Sequence, residues 1–327
     1  MSLMANCSND YPSTDVYYAD VPSDLVLVIG LCIGSVLMVV CIAIFVEEIV
    51  FIRRHYCDNV STGRKMLVIL GLFPVICTTR MVSLFVPTSN VLQNLLSSCY
   101  VAVCIYTFVS MTISFYGGSE KMISILSKDK ISISTMPCCC CLCCVLKPIT
   151  MTMTSLRTFE LLAMQVMFIR PLLLWIAAEL WTDGQYESTL DFKKSYIYIT
   201  ILSAISTMTS VYGMIVIFRA SRLQLSHFSL GFKFVPLQSA IILDVFQSLV
   251  FNFLADHDIP GCLNSFGPRL RASNFNNLLL VLESFILCLI ARKGYRIVPS
   301  KYVMDTETTE SDSKKYHDNN TANSVEF

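Results

Sequence analysis

The chain has 327 residues, of which 54% are hydrophobic and only 15% charged, a balance that excludes a water-soluble globular domain of this size. Its 24 Lys and Arg match 24 Asp and Glu, and without a basic excess the chain is not suited to holding nucleic acid.

Residues 1–24 form a polar, acidic segment (Asp10, Asp15, Asp20, Asp24) without Lys or Arg. The segment lacks the basic start and early apolar stretch of a cleaved signal peptide, so a retained N-terminal segment is expected. Seven apolar stretches follow, each near the roughly 20 residues that a helix needs to cross the hydrocarbon with its backbone bonded internally. They lie near Leu25 to Ile49, Met66 to Val86, Leu92 to Tyr116, Thr158 to Trp181, Ser195 to Phe218, Phe234 to Ala255 and Phe275 to Ala291. The expected fold is an all-α integral membrane protein, with residues 25–291 as a seven-helix membrane domain and residues 292–327 as a cytosolic tail. From Lys301 onward apolar runs cease, and the Thr, Ser, Asp, Glu, Lys and Asn mixture cannot bury enough surface to fold.

Lys and Arg in connecting loops are held on the cytosolic side during insertion. Eighteen fall in the first, third and fifth loops and the tail, against four (Lys193, Lys194, Arg269, Arg271) on the opposite side. The N-terminus is therefore expected outside and the C-terminus in the cytosol. Of three glycosylation sequons, only the one at Asn6 then faces outside, which makes Asn6 the candidate glycan acceptor.

The loop after the third helix carries a cysteine run at residues 137–144: Pro137, Cys138, Cys139, Cys140, Cys141, Leu142, Cys143 and Cys144. A zinc site wants two separated pairs of ligands, and no second Cys or His pair follows. Disulfides are disfavoured in the cytosol. Juxtamembrane cysteines facing the inner leaflet suit reversible palmitoylation, which is the expected role of all six, with an unmodified apolar loop as the plain alternative.

Four ionisable residues lie at membrane depth: Arg80, Arg170, Asp244 and Glu283. Such groups are costly to bury and face a partner or a polar cavity. In one reading they pair as buried salt bridges that fix the bundle. In the other, Arg80 and Arg170 hold an anionic group of a solute while the acids tune them. Glu47, Glu48, Glu160 and Glu179 lie nearer segment ends, where a solvated role is expected. Pro74 and Pro171 fall inside helices and should bend them. Small residues along the fifth helix (Ser203, Ala204, Ser206, Thr207, Thr209, Ser210, Gly213) are expected to serve close packing.

Several of these features resemble the alpha-subunit family of the organic solute transporter: Tyr106 and Phe108, the Gly117-Gly118-Ser119-Glu120 end of the third helix, the Pro137 cysteine run, Leu156-Arg157, Gln165, Arg170-Pro171, Lys233-Phe234, Gln247, Asn274-Phe275-Asn276-Asn277 and Glu283. The resemblance implies a facilitative carrier of amphipathic organic anions of the bile acid and steroid conjugate class. It also implies a small single-span beta subunit as partner, beside membrane lipids and homo- or hetero-oligomers. Some relatives are tied to trafficking instead, so a non-transporting membrane adaptor is the alternative. A seven-helix receptor fits poorly, because the third helix ends in Ser114-Phe115-Tyr116-Gly117-Gly118 without an acid-Arg-aromatic triplet and the seventh lacks an Asn-Pro turn. An enzyme is not expected, since the four histidines stand apart and no nucleophile or metal constellation accompanies them. No phosphate-binding loop or cofactor motif occurs, so transport should run downhill. The cell membrane is the expected address, and endosomes are compatible.

Overall fold

The computed structural model describes residues 14–56, 59–127, 130–131, 149–182, 195–263 and 266–297. Within them seven helices are long and apolar enough to cross a membrane: Leu25–His55, Val60–Phe85, Pro87–Phe115, Met153–Leu180, Ile197–Ser221, Leu230–Asp256 and Pro268–Arg296. We refer to them as the first to seventh spans. Each is longer than the apolar run that announced it, because polar caps carry the helix past the hydrocarbon. The Asp24 carboxylate accepts from Leu27 N at 3.2 Å, Asn59 Oδ1 from Thr62 N at 3.4 Å and Thr152 Oγ1 from Ser155 N at 3.2 Å. Pro268, pre-set in φ, begins the seventh. That span is the largest correction: expected as a short apolar stretch, it runs for 29 residues and takes in Arg292, Lys293 and Arg296, which the sequence had suggested were tail.

The described residues are helical as expected, apart from an isolated bridge between Leu263 and Phe266 and a two-residue antiparallel ladder, Lys130–Ile131 with Ile149–Thr150, within the third loop. The cysteine run itself, Asn6, Lys193, Lys194 and the tail from residue 298 lie outside the described residues.

The second span is the most buried of the seven and the first the least, with 72% and 17% of their most apolar stretches buried. Lipid tails are as apolar as Leu, so helices associate through close approach and polar bonds rather than through water exclusion. The small residues show this. A Cβ on Gly213 would meet the Phe159 carbonyl oxygen at 2.8 Å, and Ser210 Oγ donates to Ala163 O at 2.9 Å, so the fifth span lies directly on the fourth. Gly30 and Gly34 likewise receive Leu278 and Met81.

The second span is interrupted at Gly71, dividing into Val60–Leu70 and Leu72–Phe85. Pro74 explains the break, because its ring clashes with the carbonyl four residues back and it has no N–H to donate. The fourth span is interrupted at Gln165, between Met153–Met164 and Val166–Thr182, the latter containing Pro171. A third intrahelical proline, Pro236, lies in the first turns of the sixth span.

At the end carrying Phe85 and Pro268, the short helix Thr14–Asp20 covers the bundle. Tyr17 and Tyr18 donate to Leu84 O and Phe85 O, both at 2.9 Å, and the Tyr17 ring packs 5.3 Å from that of Phe266. Burial pushes the Tyr17 hydroxyl well above its usual range, so it stays a donor. At the opposite end Glu47 keeps the expected exposure while pairing with arginine, whereas Glu48 is buried rather than solvated. Arg292 Nη2 sits 2.7 Å from Glu47 Oε2, Arg296 Nε sits 2.8 Å from Glu48 Oε1, and Glu48 is only 1% exposed. These four charges tie the first span to the seventh.

Candidate functional site

The four ionisable residues at membrane depth are divided by the fold into three settings. Arg80, on the second span, is buried and neutralised: its Nη2 donates to Asp244 Oδ1 of the sixth span at 2.6 Å, and its Nη1 donates to Asn94 Oδ1 of the third. Glu283, near the middle of the seventh span, meets no cation among the described residues. Its Oε1 accepts from Gln247 Nε2 at 2.5 Å, and its Oε2 is buried without a donor.

Arg170 is the third setting. It precedes Pro171 on the fourth span, and its guanidinium reaches Thr207 Oγ1 of the fifth span at 2.8 Å and Ser98 Oγ of the third at 3.2 Å. Its Nε faces no acceptor, and no described carboxylate forms an ion pair with it, although it lies near enough to Asp244 to feel that charge. Two hydroxyl dipoles solvate a guanidinium less completely than water or a carboxylate. A cation so held retains capacity for an anion. The pairing reading therefore describes Arg80 with Asp244, whereas Arg170 is held by two hydroxyls and has no ion pair among the described residues.

The local sequence explains how these partners converge. Asn90, Asn94 and Ser98 follow one another at four-residue spacing and so share one face of the third span, on which Asn94 meets Arg80 of the second span, Ser98 meets Arg170 of the fourth and Asn90 reaches Ser273 of the seventh. Thr207 shares a face of the fifth span with Ser203 and Ser210. Thr207 is thus a missed site residue, since the small-residue stripe was credited only with packing. Asn94 and Ser98 were missed as well, although their i, i+4 spacing within an apolar run was the available signal.

A separate polar cavity of about 280 Å³ opens at the end of the bundle where the second and fourth spans begin, lined among others by Asn59, Thr62, Lys65, Ser110, Ser114 and Glu160. Lys65 donates to Ser114 Oγ at 2.6 Å and Ser110 O at 3.1 Å and lies within electrostatic reach of Glu160. Its volume is small for a drug-sized amphipath, which pockets of roughly 300–1,000 Å³ accommodate. Lys233 is 1% exposed and donates to Phe228 O at 2.5 Å, between the rings of Phe115 and Tyr295. Among the described residues no group of His, Cys, Asp and Glu could hold a metal ion.

The family described as Organic solute transporter Ostalpha matches residues 30–300 of the chain. An organic solute transporter subunit alpha from Leucoraja erinaceus is 31% identical over 80% of this chain and 74% of its own length. Its counterpart from Bos taurus is 28% identical over 78% and 75%. A transmembrane protein 184 homolog from Dictyostelium discoideum is 25% identical over 87% of this chain, which spans 55% of that protein. No solved structure matches.

Proposed function

We propose that this chain, which belongs to the organic solute transporter Ostalpha family, is a facilitative carrier of amphipathic organic anions of the bile acid and steroid conjugate class, with Arg170 as the anion contact. The observation that carries the reading is the state of Arg170: a guanidinium at membrane depth, oriented by Thr207 and Ser98, with Nε bare and no carboxylate of its own. A sulfate or carboxylate supplies the acceptors that this fork lacks, and the apolar body of the solute suits the lipid-facing side chains nearby, Phe168, Leu172 and Trp175. Arg80 holds Asp244 and fixes the second span to the sixth.

Orientation belongs to the same proposal. The loop charges favour an N-terminus outside, and the disulfide-bonded Cys262, between the sixth and seventh spans, supports it, because that loop then meets the oxidising side. The cysteine run from Cys138 to Cys144 is then cytosolic and available for acylation, and Asn6 for glycan. The relatives named subunit alpha motivate a single-span beta partner at the cell membrane.

The test is uptake and efflux of a labelled steroid sulfate and a labelled bile acid in cells expressing the chain, with and without a candidate beta subunit. Saturable flux in both directions is expected. Arg170→Ala at equal surface abundance should lower it about 10- to 150-fold, the equivalent of losing a charge-assisted bond of about 1.5–3 kcal/mol. Unchanged flux in that variant would remove Arg170 from the site. Absence of flux under every pairing, despite surface expression, would favour the adaptor reading.

A further inference from the structure

We propose that Glu283 and Gln247 form a proton-binding site within the membrane, in which the Glu283 carboxyl carries a proton and closes a cyclic acid–amide pair with the Gln247 side chain. Two atoms without partners point to it. Gln247 Nε2 donates to Glu283 Oε1 at 2.5 Å, which leaves one oxygen on each side chain: Glu283 Oε2 and Gln247 Oε1. Both are buried without a donor, and Gln247 as a whole is 7% exposed. As a carboxylate, Glu283 offers Gln247 only acceptors, so two orphaned oxygens persist in a low-dielectric interior, each costly. A single proton removes both faults: Oε2–H donates to Gln247 Oε1 while Nε2–H continues to donate to Oε1. The proton comes from water at one membrane face and returns there on release, with no other bond made or broken.

The surroundings offer no rival for the charge. On the sixth span the nearest ionisable group is Asp244, one turn from Gln247, and it is already paired with Arg80 of the second span. Cys77 of the second span directs its thiol to Val281 O at 3.7 Å. On the seventh span itself Cys288 lies beyond the next turn, a free thiol hydrogen-bonded to the free thiol of Cys41 on the first span. No Lys, Arg or His among the described residues pairs with Glu283, and an isolated carboxylate at this depth is neutralised by a proton more readily than it is kept charged.

The proposal stands on the contact between the sixth and seventh spans and does not require the carrier reading; its test reads no flux. The full chain in lipid nanodiscs, in sodium-free buffer, is compared with its Glu283→Gln variant by infrared difference spectroscopy across mildly acidic to mildly alkaline pH. Glu283→Gln preserves the cyclic geometry as an amide–amide pair, so it should fold. A protonated-carboxyl C=O band in the wild type, shifted by deuterium oxide and missing from the variant, is the expected result. Gln247→Leu should move that band to higher frequency by removing the hydrogen bond, and this carries the test should Glu283→Gln not fold. Identical carboxyl bands in wild type and Glu283→Gln at every pH would overturn the proposal. So would loss of the wild-type band on adding sodium, which would assign the two oxygens to a metal cation instead.

Discussion

Replacing Asp244 by Leu tests the division of labour between the two membrane arginines. Arg80 is 4% exposed and has two partners, Asp244 Oδ1 at 2.6 Å and the neutral amide of Asn94, with its Nε already bare. Removing one member of a buried ion pair costs about 3–5 kcal/mol, because the other charge stays buried without compensation. The Asp244 side chain retains 21% of its surface, so the lower end, about 3 kcal/mol, is appropriate. That corresponds to a little over a hundredfold in the ratio of folded to unfolded protein, at about 1.4 kcal/mol per factor of ten. The double variant Arg80→Met/Asp244→Leu removes both charges and should recover most of the loss, since apolar replacement of a buried pair is often neutral. The assay is the fraction of protein that remains monodisperse by fluorescence-detected size exclusion after a temperature ramp in detergent. Asp244→Leu should fall earliest, with the double variant close to wild type. A double variant no more stable than Asp244→Leu would refute the coupling and, with it, the structural role given to Arg80.

Other contacts give sharper local tests in the same assay. Glu48→Gln, at a fully buried carboxylate bound by two guanidinium groups, should cost about 1.5–3 kcal/mol, whereas Glu47→Gln, at a side chain 53% exposed, should shift the melting temperature much less, and less still in high salt. Gly213→Val places a branched side chain against the Phe159 carbonyl and should destabilise by about 1–3 kcal/mol, while Gly231→Ala, with open space at its Cβ, should not. Tyr17→Phe removes one buried donor from Leu84 O and should cost about 1 kcal/mol, seen as a lower melting temperature with unchanged surface abundance.

Span number and order were legible because lipid imposes one rule, about 20 apolar residues with no unsatisfied backbone, on every segment. The ends were less legible. Hydropathy stops at the first charge, whereas the helix continues to its cap, and so Arg292 and Arg296 were assigned to a tail rather than to ion pairs with Glu47 and Glu48. The identity of the membrane-depth charges was readable from their cost, but their partners were not, because pairing Arg80 with Asp244 across 164 residues depends on how the spans are arranged. Thr207 illustrates the remaining difficulty: a hydroxyl on a stripe of small residues looks the same in sequence whether it permits packing or orients a guanidinium. The break at Pro74 was readable in kind, yet the second span yields at Gly71, where the ring strikes the preceding turn, and Pro171 stands inside the continuous helix Val166–Thr182.

The length of the first span links the protein to the thickness of its membrane. Its apolar run from Leu25 to Val46 is about 33 Å long at 1.5 Å per residue, against about 30 Å of hydrocarbon. The remaining turns, Glu47 to His55, project about 13 Å further, and it is this projecting part that Arg292 and Arg296 clasp. The charge clasp thus sits at headgroup level and works as a depth stop. A thicker bilayer would draw Glu47 toward hydrocarbon and penalise the bundle by fractions of a kcal/mol per Å, while a thinner one is met by tilting the helix. Bilayers of different thickness should therefore favour different inclinations of the first span, giving the host membrane a mechanical grip on the least buried element of the fold.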